Sequence, residues 1–442
     1  MVPLASQPEN SSEIWELTNI DKFSRPSYTG PMIEAHKRVT GLSGNEIFCL
    51  SKMGLRAGQL CIGNSVVAIG FAGGIGASLS TLGGGEVTQI TNLVRDGRLN
   101  AFNRMLEEAK RYGGVGLTGI SFDMFNHGGN LEFITMGSTV HQSQEQEALR
   151  FSSAADAQQL YCQADAGFTP LHCVFGNVAY SIGLGGNITG AFRKLGRGEI
   201  PEYSQIFDDT RHLALSRLIE EGKKFGANAV IGIQTTISPL MGAQEMMMIG
   251  TAAQHPALAA YANEPVTSDM TSEEMWNMTY LGYLPLRLVM GVSVYSLGLK
   301  GGILSALQSF GGGEVSGLTE ILYEAREKAL ARIERDAEKC GADEVIGVKT
   351  RVYDLGGGLV EFLAIGTAVK KMENVKTKTD TLPPQAIIQD RETFVDSTND
   401  VDLGVGSKAS APSTQRGPVA IIMMASVFFF YVVSFLLRIF FH

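Results

Sequence analysis

Apolar positions recur along this chain in three similar blocks. Each block has a short apolar run, a glycine cluster, a stretch with apolar residues every three or four positions, and two alternating runs. The opening runs are CIGNSVVAIG, CVFGNVAYSIG and LVMGVSVYSLG. Within them Ser65–Ile69, Val178–Ile182 and Val292–Leu297 are rich in β-branched and aromatic residues, which predicts first strands. In the third block Val315, Leu318, Leu322, Ala325, Ala329, Ile333, Ala337 and Cys340 fall on one stripe of a helix. Glu320, Glu324, Lys328 and Arg332 supply charge partners on its polar side. Gly341 is a suitable C-terminal glycine. VIGVKTRVYDL then alternates as a strand does, Gly356–Gly358 make a turn, and LVEFLAIGTAV returns. The order is β-α-β-β, which predicts an α+β fold.

The blocks are copies of one unit. The first carries GGGEV at Gly83–Val87, GGVGLTGI at Gly113–Ile120 and GST at Gly137–Thr139. The second carries GRGEI at Gly196–Ile200, GANAVIGI at Gly226–Ile233 and GTA at Gly250–Ala252. The third carries GGGEV at Gly311–Val315, GADEVIGV at Gly341–Val348 and GTA at Gly366–Ala368. Glu86, Glu199 and Glu314 each stand 27 positions before the glycine that opens the second motif, a spacing that chance does not produce.

A different pattern closes the chain. Val419–Leu437 reads VAIIMMASVFFFYVVSFLL, apolar on all sides. A helix of this length spans roughly 28 Å, close to the hydrocarbon thickness of a bilayer. Its two serines can bond back to helix carbonyls, and Arg438 sits where a cation reaches headgroups. The preceding stretch, with Pro383, Pro384, Pro412 and many Ser, Thr and Asp, predicts a mostly unstructured tether. No basic region followed by an apolar core opens the chain. The expectation is a tail-anchored, single-pass membrane protein. Lys408 and Arg416 before the span weakly favour a cytoplasmic N-terminal bulk.

Composition adds limits. Of 442 residues, 44% are hydrophobic and 18% charged, enough to build cores. The net charge of −9 argues against a nucleic-acid partner. Five cysteines without a CxxC fit a reducing compartment better than a disulfide framework.

Candidate chemistry is sparse. The GGGE loops invite an anion-binding reading, but a Glu in every copy would repel phosphate, and the Lys and Ser/Thr of a P-loop are absent. A first-turn Glu that satisfies helix dipole and amides is the simpler reading. The clustered glycines Gly83, Gly84, Gly85, Gly196, Gly198, Gly311, Gly312 and Gly313, with Glu86, Glu199 and Glu314, suit close approach between subunits. Metal candidates are Cys61 and Cys173, read as matching positions in copies one and two, with His172 beside the second and Leu288 in copy three. One Cys and one His do not make a tetrahedral site, and buried apolar roles fit these residues. A ring would gather identical residues around its axis, so a shared site stays open. No nucleophile, base and orienting group recur together, so no enzymatic reaction is expected.

These motifs resemble the YbjQ family, a group with a heavy-metal-binding label. The resemblance rests on the first-strand run, the GGGE helix start, the GA(D/N)xVIG(I/V) junction and the final GTAV. It covers about residues 40–141, 161–254 and 280–371. The first copy departs at the junction, where Gly114, Val115 and Gly116 stand, and the second has Arg197 inside its glycine run. The resemblance implies small β-α-β-β, dodecin-like modules that assemble into rings, without an established reaction or cofactor.

The expected organisation is an N-terminal extension (1–39), repeats at 40–141, 161–255 and 280–371, linkers at 142–160 and 256–279, a tether (372–417) and the anchor (418–442). Both linkers are polar enough to flex but hold apolar residues able to dock. Modules that leave sheet edges open call for lateral pairing. The expected function is a homo-oligomeric ring or cage-like scaffold on a bilayer, and the alternative is a membrane-bound metal-binding or metal-sensing protein. A ring closed by three copies within one chain, or with one partner chain, also remains open.

Overall fold

Each repeat folds into a three-stranded antiparallel sheet with one long helix on its face. The computed structural model describes residues 38–68, 85–127, 130–142, 148–181, 198–240, 243–296, 316–356 and 359–388. Module one contains α1 (Gly44–Lys52), β1 (Arg56–Ala68), β2 (Gly85–Glu86), α2 (Thr88–Tyr112), β3 (Gly116–His127) and β4 (Asn130–His141). Module two follows as β5 (Phe151–Ser152), α3 (Ala157–Asp165), β6 (Thr169–Ser181), β7 (Gly198–Glu199), α4 (Pro201–Lys224), β8 (Ala229–Leu240) and β9 (Ala243–Gln254). Module three is β10 (Val266–Thr267), α5 (Ser272–Tyr280), β11 (Tyr283–Ser296), α6 (Ser316–Lys339), β12 (Glu344–Gly356) and β13 (Leu359–Lys371), and α7 (Pro384–Ile387) follows. The last strand of each module lies at the centre, between the first and the middle strand: β1-β4-β3, β6-β9-β8 and β11-β13-β12.

Two glycines per module explain the tight layers. Gly63, Gly176 and Gly291 stand mid-strand, where a Cβ would meet the carbonyl of Ala101, Ala214 or Ala329 at 2.0, 2.3 and 2.0 Å. The helix therefore lies directly on the strand backbone. Gly119, Gly232 and Gly347, the last glycine of each junction motif, take φ of +67°, +61° and +63° at a register shift in the middle strand. A left-handed residue at a bulge favours glycine.

The first strands are longer than the sequence predicts. They begin at Arg56, Thr169 and Tyr283, and the predicted end residues Ile69, Ile182 and Leu297 lie outside the described residues. Polar and apolar residues mix in their first halves, which hides the alternation.

A short helix before each first strand is absent from the β-α-β-β reading. Each opens with a reciprocal capping box: Ser43 with Glu46, Asp156 with Gln159, and Thr271 with Glu274. The linkers are ordered where described. Leu160, Phe168, Leu258, Met270, Met275 and Trp276 are buried in one cluster or beside it. Phe151–Ser152 and Val266–Thr267 add in parallel to the middle strand of the preceding module.

The tether also needs correction over its first part. Residues 372–388 are packed down: Met372, Val375, Leu382 and Ala386 join the same cluster. Thr379 Oγ1 donates to Asp165 Oδ2 at 2.8 Å, and Gln158 Nε2 donates to the Ile388 carbonyl at 2.9 Å. Pro383 and Pro384 start a helical turn here, with Pro in the first turn where it loses no hydrogen bond. The rest of the tether and the span Val419–Leu437 lie outside the described residues. Among the described residues no helix is long and apolar enough to cross a membrane.

Candidate functional site

The chemistry-bearing residues gather where one module meets the next. The Gly-Glu pair of the first and of the second glycine motif leaves its own module and adds to the first strand of the following one. Gly85 and Glu86 pair antiparallel with Ser181 and Tyr180, and Gly198 and Glu199 pair with Ser296 and Tyr295. Val87 N then donates to the Ala179 carbonyl at 2.7 Å, and Ile200 N to the Val294 carbonyl at 2.8 Å. Gly85 and Gly198 adopt φ of +112° and +138°, and a Cβ there would meet nothing within 4 Å. Backbone conformation, not crowding, calls for these two glycines. Gly83, Gly84, Gly196, Gly311, Gly312, Gly313 and Glu314 lie outside the described residues.

Glu86 and Glu199 do not cap their helices. Helix α2 starts at Thr88, after Glu86, and its N-cap Val87 makes no side-chain capping bond. Glu86 Oε1 instead sits 2.8 Å from Arg217 Nη2 on the next module's helix, and Glu199 Oε1 sits 2.8 Å from Arg332 Nη2. Both arginines also donate to the first strand of their own module, Arg217 to the Asn177 carbonyl and Arg332 to that of Val292. Each arginine thus clamps the incoming strand to the strand it joins.

Deeper in each contact lies a buried ion pair. Arg98 on α2 makes a bidentate contact with Glu245 on β9, and Asn177 Nδ2 donates to the same carboxylate at 3.0 Å. Arg211 on α4 does the same with Glu361 on β13, while its Nη2 also donates to the Tyr180 hydroxyl, which donates to Gln244 Oε1 at 2.6 Å. The Arg211 guanidinium lies 4.3 Å from the Tyr180 ring centre. Burial pushes the Glu361 carboxyl above its ordinary value, and Arg211 opposes that shift. A paired charge of this kind adds little net stability, but a misplaced module would leave it uncompensated at a cost of several kcal/mol. The arrangement fixes how modules dock.

Sequence reasoning missed these arginines and the carboxylates opposite them. Met246 and Met248 are core residues, but Glu245, just before them on the strand, sits in the contact against Arg98 rather than in solvent. Three matching arginines and three matching glutamates, one per copy, were the available signal.

The metal candidates do not fit a metal. Strand register aligns Cys61, opposite Gly137, with Val174, opposite Gly250, while Cys173 lies opposite Thr251. The two cysteines are one position out of step, and a shift of one reverses the sheet face. Cys61, Cys173 and His172 are all buried within the chain, so a ring axis cannot gather them. Burial pushes the Cys61 thiol up to about 12 and the Cys173 thiol higher still, so both side chains stand in the core as neutral thiols. Ser152 Oγ accepts from Cys173 N and is hydrogen-bonded to His172 Nδ1 at 2.8 Å. The imidazole packs on Phe225 at 3.9 Å between ring centres, and burial pushes its pKa down to about 3. Among the described residues no three His, Cys, Asp or Glu side chains are placed to hold a metal ion.

Comparison with known proteins agrees with this modular reading. The YbjQ family profile, described as "Putative heavy-metal-binding", matches residues 55–142, 168–255 and 270–372. An encapsulin nanocompartment protein of Mycobacterium tuberculosis is 30% identical over 207 residues, 45% of this chain and 77% of that protein. A UPF0145 protein of Thermotoga petrophila is 45% identical over 83 residues, 19% of this chain and 78% of its own length. Another, of Methanosarcina acetivorans, is 42% identical over 87 residues, 20% of this chain and 82% of its own.

Proposed function

We propose that this chain, which belongs to the YbjQ family, is a self-assembling structural protein whose modules build a homo-oligomeric ring or cage-like scaffold. The carrying observation is the module contact itself. It is used twice in the chain in the same sense, with strand addition, an arginine clamp and a buried ion pair each time. Such a head-to-tail contact can be repeated by further copies and closes into a ring when the rotation per step allows. A relative named for a nanocompartment supports an enclosing role. The apolar segment Val419–Leu437 supports mooring of this assembly in a bilayer, with the bulk of the chain on the cytoplasmic side. Several anchors in one assembly would strengthen membrane attachment without any new contact.

The test is the mass of full-length protein in mild detergent, by light scattering. The proposal expects one discrete species of several chains. A monodisperse monomer across the micromolar range overturns it.

A further inference from the structure

The twice-used contact has a donor face and an acceptor face, and module three and module one each expose the unused one. Strand register defines the acceptor side. Glu245 lies opposite Ala179 and Ser238, and Glu361 lies opposite Val294 and Tyr353. In module one the residue so placed is Glu132, opposite Val66 and Phe125. Helix position defines the donor side. Arg98 and Arg211 stand ten residues after the first residues of their helices, Thr88 and Pro201, and Arg326 stands ten after Ser316. Arg98 and Arg211 are buried against their glutamates, whereas the described partners of Arg326 are local: Glu327 and the Tyr323 ring. Glu132 is likewise held only locally among the described residues, by the exposed His127 on the neighbouring strand.

The surroundings match the charges. Val66 is 59% exposed, while its counterparts Ala179 and Val294 are fully buried under the preceding module's helix. Ile62 is exposed where Phe175 and Met290 are covered, and Phe125 is exposed where Tyr353 is partly buried. On the donor side Val348 and Val352 are exposed, while Ile120 and Ile233, which match Val348, are buried. Arg104 matches Arg217 and Arg332 and donates to the Asn64 carbonyl as they do to theirs, at 2.5 Å. Among the described residues no carboxylate reaches it. Asn64 matches Asn177, so module one carries an Asn and a Glu at the positions of Asn177 and Glu245.

We infer that the donor face of module three, with Arg326 at its centre, docks on the acceptor face of module one of a second copy of this chain, pairing Arg326 with Glu132. The inference rests on the scaffold reading and gives its subunit contact. That contact is head-to-tail and continues the intrachain stack. Two apolar faces and two opposite charges, each incomplete alone, complete one another.

The experiment uses full-length protein in mild detergent and three variants: Arg326→Glu, Glu132→Arg and the double swap. Mass photometry reads assembly, and circular dichroism reads folding. The Arg326 and Glu132 side chains are 39% and 22% exposed and are held only by local contacts among the described residues, so all variants keep the wild-type spectrum. Each single variant weakens assembly by about a hundredfold or more, because one face then opposes like charge. The double swap assembles. An equimolar mixture of the two singles also assembles, because every contact in an alternating array pairs opposite charges. Single variants with wild-type mass overturn this contact and leave the scaffold reading in place. A wild-type monomer overturns both.

Discussion

Arg211 Nη2 donates to both carboxylate oxygens of Glu361, at 2.8 and 2.9 Å, and both side chains are fully buried where module two meets module three. The Arg211→Met variant strands a buried carboxylate. It is predicted to lose about 3–5 kcal/mol of stability. The Arg211→Met, Glu361→Leu double variant removes both charges and recovers most of the loss. Urea unfolding of the four proteins checks this, and an unaffected single variant contradicts the assignment.

Gly176 lies under helix α4, where an added Cβ would sit 2.3 Å from the Ala214 carbonyl and 2.6 Å from Leu218 N. Backbone cannot yield as a side-chain tip can. Gly176→Ala is predicted to cost about 2–3 kcal/mol by overpacking. Gly44→Ala, in open space at the start of α1, should change stability by less than about 1 kcal/mol. Thermal melts of both variants make the comparison.

Asp156 caps α3, accepting from Gln159 N at 2.8 Å, and burial pushes its carboxyl up to about 6, with nearby Glu46 adding to the rise. The folded protein then holds the proton more tightly than the unfolded chain. Stability from this group is greatest at low pH and falls as pH rises from about 4 to about 6. Asn caps as well as Asp without the charge. Asp156→Asn is therefore predicted to be more stable than wild type at pH 7, by on the order of 2 kcal/mol, with the difference vanishing toward pH 4. Chemical unfolding at several pH values measures it.

His172 works in the opposite direction. Its folded pKa of about 3 lies well below the ordinary 6.5, so the folded state resists protonation. Its contribution is complete above pH 6.5 and declines by about 1.4 kcal/mol per unit as pH falls toward 3. His172→Gln should flatten that limb of the stability profile relative to wild type. An unchanged slope would mean that the imidazole is not held neutral by its burial against Phe225 and Ser152.

The long helices and the returning strands were legible because each module buries one stripe or one face, and burial leaves a period in the sequence. The capping boxes of α1, α3 and α5 were legible in principle, since Ser43–Glu46, Asp156–Gln159 and Thr271–Glu274 share one signature. Those of α3 and α5 were lost because they sit in polar stretches that read as linker, and that of α1 because it precedes the first predicted strand. The docked segment at 372–388 was hidden for the same reason. Its few apolar residues, Met372, Val375, Leu382 and Ala386, have no period and matter only because the small helices leave a groove for them. The role of Glu86 was misread because proximity to a helix start looks the same in sequence whether the side chain caps that helix or crosses to Arg217 on the next module. Cys61 and Cys173 looked equivalent because one position of misalignment is invisible in an apolar run, although it decides the face of the sheet.

The most direct test of the central claim is single-particle imaging of the wild-type assembly at a resolution that shows side chains. The account predicts that every subunit contact repeats the intrachain module contact, with Arg326 of one chain against Glu132 of the next. A contact related by two-fold symmetry, or particles of one chain each, would contradict it.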